Sequence, residues 1–172
     1  QWLGQSAFKI TSPQGKVIIT DPWLKANPLT PIEFKTLENL GKVDVLLVTH
    51  GHVDHFADAP AIAKLNSIPM YAPGDMNASV VALGILPPEL APRFNKSGSV
   101  EPSPDIKVTA VHAEHSSVIN WKNPATNKDE IHVGGEPVGY IIELENGFKI
   151  ALISPCPSTG ITPPTFRLPY IE

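Results

Sequence analysis

The sequence is poor in cysteine, in charge and in aromatic side chains. Its one cysteine, Cys156, cannot close an intramolecular disulfide and cannot build a thiolate zinc site, and it is read as a bystander. Charged residues are only 17% of the chain against 42% hydrophobic ones, which excludes a solvated, unfolded chain. Cations are not in excess either. Lysine and arginine number 13 and aspartate and glutamate 17, giving a formal net charge of −4 and no basic field for gripping nucleic acid. No apolar run approaches the roughly 20 residues that span a bilayer. An initiating methionine is missing as well. The chain opens at Gln1 inside a strand-like segment, so the native start is expected upstream; a cytoplasmic location is expected, with a signal peptide left open.

What is present is enough for one domain. At 172 residues a compact fold hides roughly 70% of the surface of its unfolded chain. Proline is abundant, at 19, and unevenly placed. Ala7 to Ile10 and Lys16 to Thr20 read as strands around the turn Ser12-Pro13-Gln14-Gly15. Val43 to Val48 is an almost unbroken apolar run, the mark of a strand buried on both faces. Asp58 and Pro60 suit the start of a helix to about Asn66, and Asp75 the cap of another through Leu83. A short strand lies between them at residues 69–72, and residues 87–104 read as loop. Ile106 to His112 alternates like a strand, and Val138 to Ile150 reads as a hairpin around Asn146-Gly147. Strands interleaved with helices predict an α/β (α+β) fold with a mixed sheet. Domain boundaries are set at residues 1–150, followed by an irregular tail at 151–172 that carries five prolines.

Chemistry concentrates where the buried strand ends. His50, His52, Asp54 and His55 fall within six residues, at the kind of strand tip where ligand sites gather in open α/β sheets. Gly51 is expected to permit a tight turn that lets side chains two apart converge. A single histidine there would be an ordinary hydrogen-bonded polar residue. Three with an aspartate are not, because each one buried without a partner costs about 1–3 kcal/mol. Imidazole and carboxylate suit a zinc-like ion. His112 and His115 follow on a later strand, where alternation sends them to opposite faces, so one of the two is expected at the ion. Asp21, after a strand, is either a turn residue or a carboxylate that orients a ligating histidine. Trp2 and Trp23 are read as core or pocket wall, and His132 as a solvated residue in a polar loop.

The segment Thr49-His50-Gly51-His52-Val53-Asp54-His55 resembles the H-x-H-x-D-H signature of metallo-β-lactamase-fold hydrolases. Trp2 to Phe8, Asp21-Pro22-Trp23-Leu24 and Asn27-Pro28 resemble, more narrowly, the metal-dependent hydrolases related to ascorbate-6-phosphate lactonase. The resemblance covers about residues 1–150 and implies an αββα sandwich, here its N-terminal half to two-thirds. It implies that His50 and His52 hold a first metal with His115, which stands before paired serines as the family's third ligand does, and that Asp54 and His55 belong to a second. Two family features have no counterpart: no aspartate follows Asp129 to bridge two metals, and no histidine follows His132.

The expected function is a metal-dependent hydrolase. A metal-activated water, with Asp54 as the base, would attack an ester, lactone or phosphodiester of a small molecule. Zinc is the expected cofactor, one or two ions, with manganese and iron(II) as alternatives the donors also accept. The competing expectation is a truncated or degenerate, non-catalytic metal-binding remnant. Expected partners are a small-molecule substrate and an oligomer or other protein covering an exposed sheet face, with no nucleic acid and no membrane span.

Overall fold

The computed structural model describes residues 1–153. The expected tail at 154–172, with Cys156, lies outside the described residues. Strands β1 (Trp2–Gly4), β2 (Ala7–Thr11) and β3 (Val17–Thr20) form an antiparallel meander. Strand β4 (Val45–Leu47) then adds in parallel to β3. From β4 the chain rises through the one-turn helix α1 (Val53–Phe56) and α2 (Ala59–Asn66) into β5 (Met70–Pro73), parallel to β4. Helix α3 (Gly74–Ala82) leads on to β6 (Arg93–Phe94), which completes a mixed six-stranded sheet in sequence order.

The second sheet is antiparallel throughout. It begins with β7 (Ser99–Ser103) and β8 (Ile106–His112). A hairpin of β9 (Val118–Lys122) and β10 (Asp129–Val133) projects next, and the chain returns as β11 (Val138–Glu143) and β12 (Lys149–Leu152). The strand order is β12-β11-β8-β7, with the hairpin a separate two-stranded sheet.

Strand β4 shows how the layers join. Val45 and Leu47 point into a core shared with Ile106, Val108, Ala110, Tyr140 and Ile142 of the second sheet. Leu46 and Val48 point the other way, into the core under α2 and α3 with Ile62, Ala63, Met76 and Val80. Period-two alternation in a strand apolar on both sides therefore fastens helices to one face and a sheet to the other. Tyr140 adds a polar rivet between the sheets. Fully buried, its hydroxyl donates towards the carbonyls of Val48, at 2.8 Å, and Tyr71, at 3.1 Å. Burial and then the charge of Asp21 push its pKa well up, so it stays a donor.

Six local expectations need correction. Residues 87–104 are not all loop, since they contain β6 and β7. Strand β6 is too short to show a period, and β7 tolerates Pro102 because it is the edge strand. The chain at Asp129 to Val133 is a strand, hidden because its apolar Ile131 and Val133 face outward. Asp58 precedes α2 as expected, yet its carboxylate makes no cap and accepts the Leu24 and Lys25 amides at 2.7 and 3.0 Å. Asp75 lies inside the first turn of α3, with Pro73 at the cap position. Trp2 is 51% exposed, with its indole N–H on the Gln5 carbonyl, so it does not belong to the core. Strand β12 runs to Leu152, two residues past the expected boundary at Ile150.

The rivet predicts a measurable loss. Tyr140→Phe, by stranding a buried carbonyl, is expected to lower the unfolding free energy by about 1–3 kcal/mol in a urea titration. A change within about 0.5 kcal/mol, the range of an ordinary surface substitution, would show that the hydroxyl does not join the sheets.

Candidate metal centre

The site begins with a carboxylate at the end of β3. Asp21 is fully buried in the left-handed region, at φ 42°, where a non-glycine residue is uncommon. Its backbone N–H donates to Leu47 at 2.9 Å, which extends the β3–β4 pairing past the strand ends. Its side chain accepts three hydrogen bonds: Oδ1 from the Thr49 amide at 2.7 Å, and Oδ2 from the Thr49 hydroxyl at 2.8 Å and His55 Nδ1 at 2.9 Å. The alternative open in the sequence resolves in favour of orientation: Asp21 positions a histidine.

Proton counting then fixes the tautomers. The Thr49 hydroxyl has one proton and gives it to Asp21. Its contact with His50 Nδ1, at 3.0 Å, is therefore one in which the ring donates. That leaves His50 Nε2 with a bare lone pair, 3.1 Å from His52 Nδ1. By the same count His55 Nδ1 carries a proton, and His55 Nε2 faces Asp54 Oδ2 at 3.6 Å.

The third imidazole arrives from the segment between β8 and β9. The His115 ring centroid lies 4.8 Å from that of His50 and 5.0 Å from that of His52. One ligand atom from each of His50, His52 and His115 falls within 4.8 Å of the others, and among the described residues this is the one such group of three or more that can hold an ion. Three neutral imidazoles suit a tetrahedral ion with a further position open. Burial, followed by the neighbouring imidazoles His55, His52 and His115, pushes His50 down to about 2. Burial, then His52 and His55, also lowers His115. Both rings stay in the neutral form that ligates.

Two contacts lock the loops together. The Gly51 amide donates to Ser117 Oγ at 3.1 Å, tying the His50–His52 turn to the strand that follows His115. A Cβ at Gly51 would lie 3.0 Å from both Ile119 Cγ1 and the Val118 carbonyl. Gly51 is thus required by close approach of β9. It is absent from the positive-φ glycines, so the tight-turn reason expected from the sequence is not the operative one.

His112 points away from the cluster and pairs in solvent with Glu114 at 2.6 Å. His132 is not a solvated loop residue. It sits on β10, half-buried, 3.1 Å from Glu130 and edge-on to Trp121. Together with His115, Ser117, Val118, Ile131 and Val133 it lines an open cleft of about 590 Å³. Thr49, Ser117 and Gln5, whose side-chain amide donates to Asp54 Oδ2 at 3.1 Å, escaped the sequence reading. Their one signal was adjacency: Thr49 precedes the first histidine, Ser117 is among the serines after His115, and Gln5 sits at the β1–β2 turn.

The beta-lactamase superfamily domain matches the chain over residues 16–163. The chain belongs to the beta-lactamase superfamily. A UPF0173 metal-dependent hydrolase of a Polaromonas species is 74% identical over 149 residues, or 87% of this chain and 55% of that protein. Another, from Polynucleobacter asymbioticus, is 59% identical over 150 residues, again 87% of this chain and 53% of the relative. This superfamily chain therefore spans about half the length of the curated relatives it matches. Among solved structures, a metallo hydrolase of the archaeon Ignicoccus hospitalis superposes with a TM-score of 0.64 at 25% identity, over 87% of this chain and 57% of that one. The metallo-β-lactamase fold expected from the motif is thus borne out, with helices on one face of a mixed sheet and a second sheet on the other.

The lowered imidazoles set a pH dependence. Below about pH 6.5 the histidines of the unfolded chain take up protons that folded His50 and His115 refuse. Stability that is complete above that pH is therefore lost as the pH falls. Chelator-treated protein is expected to melt at a lower temperature at pH 5 than at pH 7, and His50→Gln should narrow the gap. Equal melting temperatures at the two values would contradict neutral imidazoles in the fold.

Proposed function

We propose that this chain is the metal-binding part of a hydrolase, in which His50, His52 and His115 hold one ion and Asp54 and His55 contribute to a second. The observation that supports this reading is the cluster of three imidazoles, with His50 and His115 kept neutral by burial, at one end of an open cleft. Zinc is the ion we place first, with manganese and iron(II) accepted by the same donors. When bound, such an ion supplies Lewis-acid activation of water and of the bond to be broken.

The chain's own residues do the rest. Thr49 holds the His50 ring by its Nδ1 proton, so that Nε2 faces inward. Asp21 does the same for His55 and fixes its orientation. Asp54, partly exposed and steadied by Gln5, is placed to take the proton of the attacking water. The substrate we assign is an ester, lactone or phosphodiester of a small molecule. No helix among the described residues is long and apolar enough to cross a membrane. We place the protein in the cytoplasm, without a nucleic-acid substrate, and expect an oligomer or partner over the outer face of the second sheet. The lactonase-like affinity rests on the motif resemblance.

The test combines metal content with turnover. Protein purified without chelators is expected to hold at least one ion per chain, lost in His50→Ala and His115→Ala and kept in His112→Ala and His132→Ala. Chromogenic esters, lactones or phosphodiesters should be hydrolysed by loaded protein alone, with activity rising through one inflection near neutral pH. Equal ion loss from His50→Ala and His132→Ala would overturn the ligand assignment. A tightly held ion without turnover would favour the non-catalytic remnant.

A further inference from the structure

The β9–β10 hairpin is built inside out. Along β10 the polar Glu130 and His132 are the less exposed residues, while Ile131 and Val133 are 73% and 64% exposed. The register sets Val133 opposite Val118 and Ile131 opposite Asn120, so the three apolar side chains share one face. Contiguous apolar side chains left in water on a small domain mark a surface that meets something. Here that face forms a wall of the cleft, which starts at His115 and Ser117 and ends at Pro137.

Past that face the chain runs close against its neighbours. At Gly134 a Cβ would fall 2.3 Å from Ser117 Oγ, and at Gly135 it would lie 3.0 Å from the Met76 amide. Two glycines thus let the chain lie flat between α3 and the His115 segment. Formal charge on the cleft walls comes from Asp75 and Glu136, both carboxylates. Lys96, in the adjoining hollow of about 300 Å³, is already paired with Glu136. His132 is paired with Glu130. An anion entering along these walls meets the carboxylate of Asp75, a Glu136 carboxylate already balanced by Lys96, and no unpaired lysine or arginine among the described residues.

We infer that the substrate of the proposed hydrolase carries an uncharged apolar arm that lies along Val118, Ile131 and Val133 while its reactive group reaches His115, and that substrates with an anionic arm are discriminated against. The inference rests on the hydrolase reading for the reaction and on the cleft alone for the arm. It narrows the substrate to uncharged esters or lactones with a hydrocarbon portion, away from phosphorylated small molecules.

Binding and turnover separate the two. The 172-residue chain with methyl-labelled isoleucine and valine is titrated with 1-hexanol and with hexane-1-sulfonate, an anion that is a weak metal ligand. The Ile131 and Val133 methyl signals are expected to shift with hexanol at concentrations at least about tenfold lower than with the sulfonate. The double substitution Ile131→Thr and Val133→Thr, at exposed sites, should abolish the hexanol-induced shift of the Val118 methyl signals, which share that face, and leave the dispersed spectrum intact. The ester of p-nitrophenol with hexanoic acid should be cleaved with a kcat/KM at least about tenfold above its monoester with adipic acid, which ends in a carboxylate. Equal or tighter sulfonate binding overturns the inference, as does a hexanol response confined to Val53 and Ile85 of the separate groove beside Gly51. Hexanol binding at Ile131 without cleavage of either ester upholds the cleft assignment and refutes the hydrolase reading.

Discussion

The site hangs on the buried carboxylate of Asp21. A charge taken fully out of water costs several kcal/mol unless it is closely paired or hydrogen-bonded, and here three donors converge on it. Each of those donors fixes something else. The Thr49 amide sets where the chain leaves β4, the Thr49 hydroxyl decides which His50 nitrogen is protonated, and the His55 ring is turned so that its other nitrogen faces Asp54. The left-handed backbone at Asp21 is the strain accepted to aim one carboxylate at all three. Its neighbour Thr20 is fully buried, with a hydroxyl that has no partner among the described residues, a second sign that this strand end serves the site before it serves stability.

The fold supplies the two halves of the imidazole cluster from distant parts of the chain. His50 and His52 follow a strand of the first sheet, and His115 follows a strand of the second. Their meeting depends on how the sheets pack, through Val45 and Leu47 against Val108 and Ala110, with Tyr140 bonded across to the end of β4. The Gly51–Ser117 contact completes the register at the tip. Small errors in sheet packing would therefore appear as loss of the site, because side chains in close-packed interiors have few alternative positions.

Much of this is legible in the sequence, for identifiable reasons. Strand β4 is readable because it is buried on both faces, and the histidines are readable because four metal-capable residues in six are hard to explain otherwise. The preference for His115 over His112 rests on the family pattern and on strand ends as the place for sites; β8 ends at His112, so the two do not alternate on one strand as expected, and His112 pairs with Glu114 in solvent. The β9–β10 hairpin is not readable, since its hydrophobic pattern is inverted by the cleft it lines. Nor is the true role of Gly51, which depends on β9, a strand some 70 residues away that approaches only after folding. What escapes is whatever depends on one surface meeting another.

X-ray absorption at the zinc edge of the chain loaded with one equivalent of zinc tests the central claim most directly. The account predicts an inner shell of nitrogen at about 2.0–2.1 Å, with outer-ring scattering from three imidazoles that falls to two in His115→Ala and is unchanged in His112→Ala. An inner shell of oxygen alone, or a spectrum indifferent to His115→Ala, would contradict it.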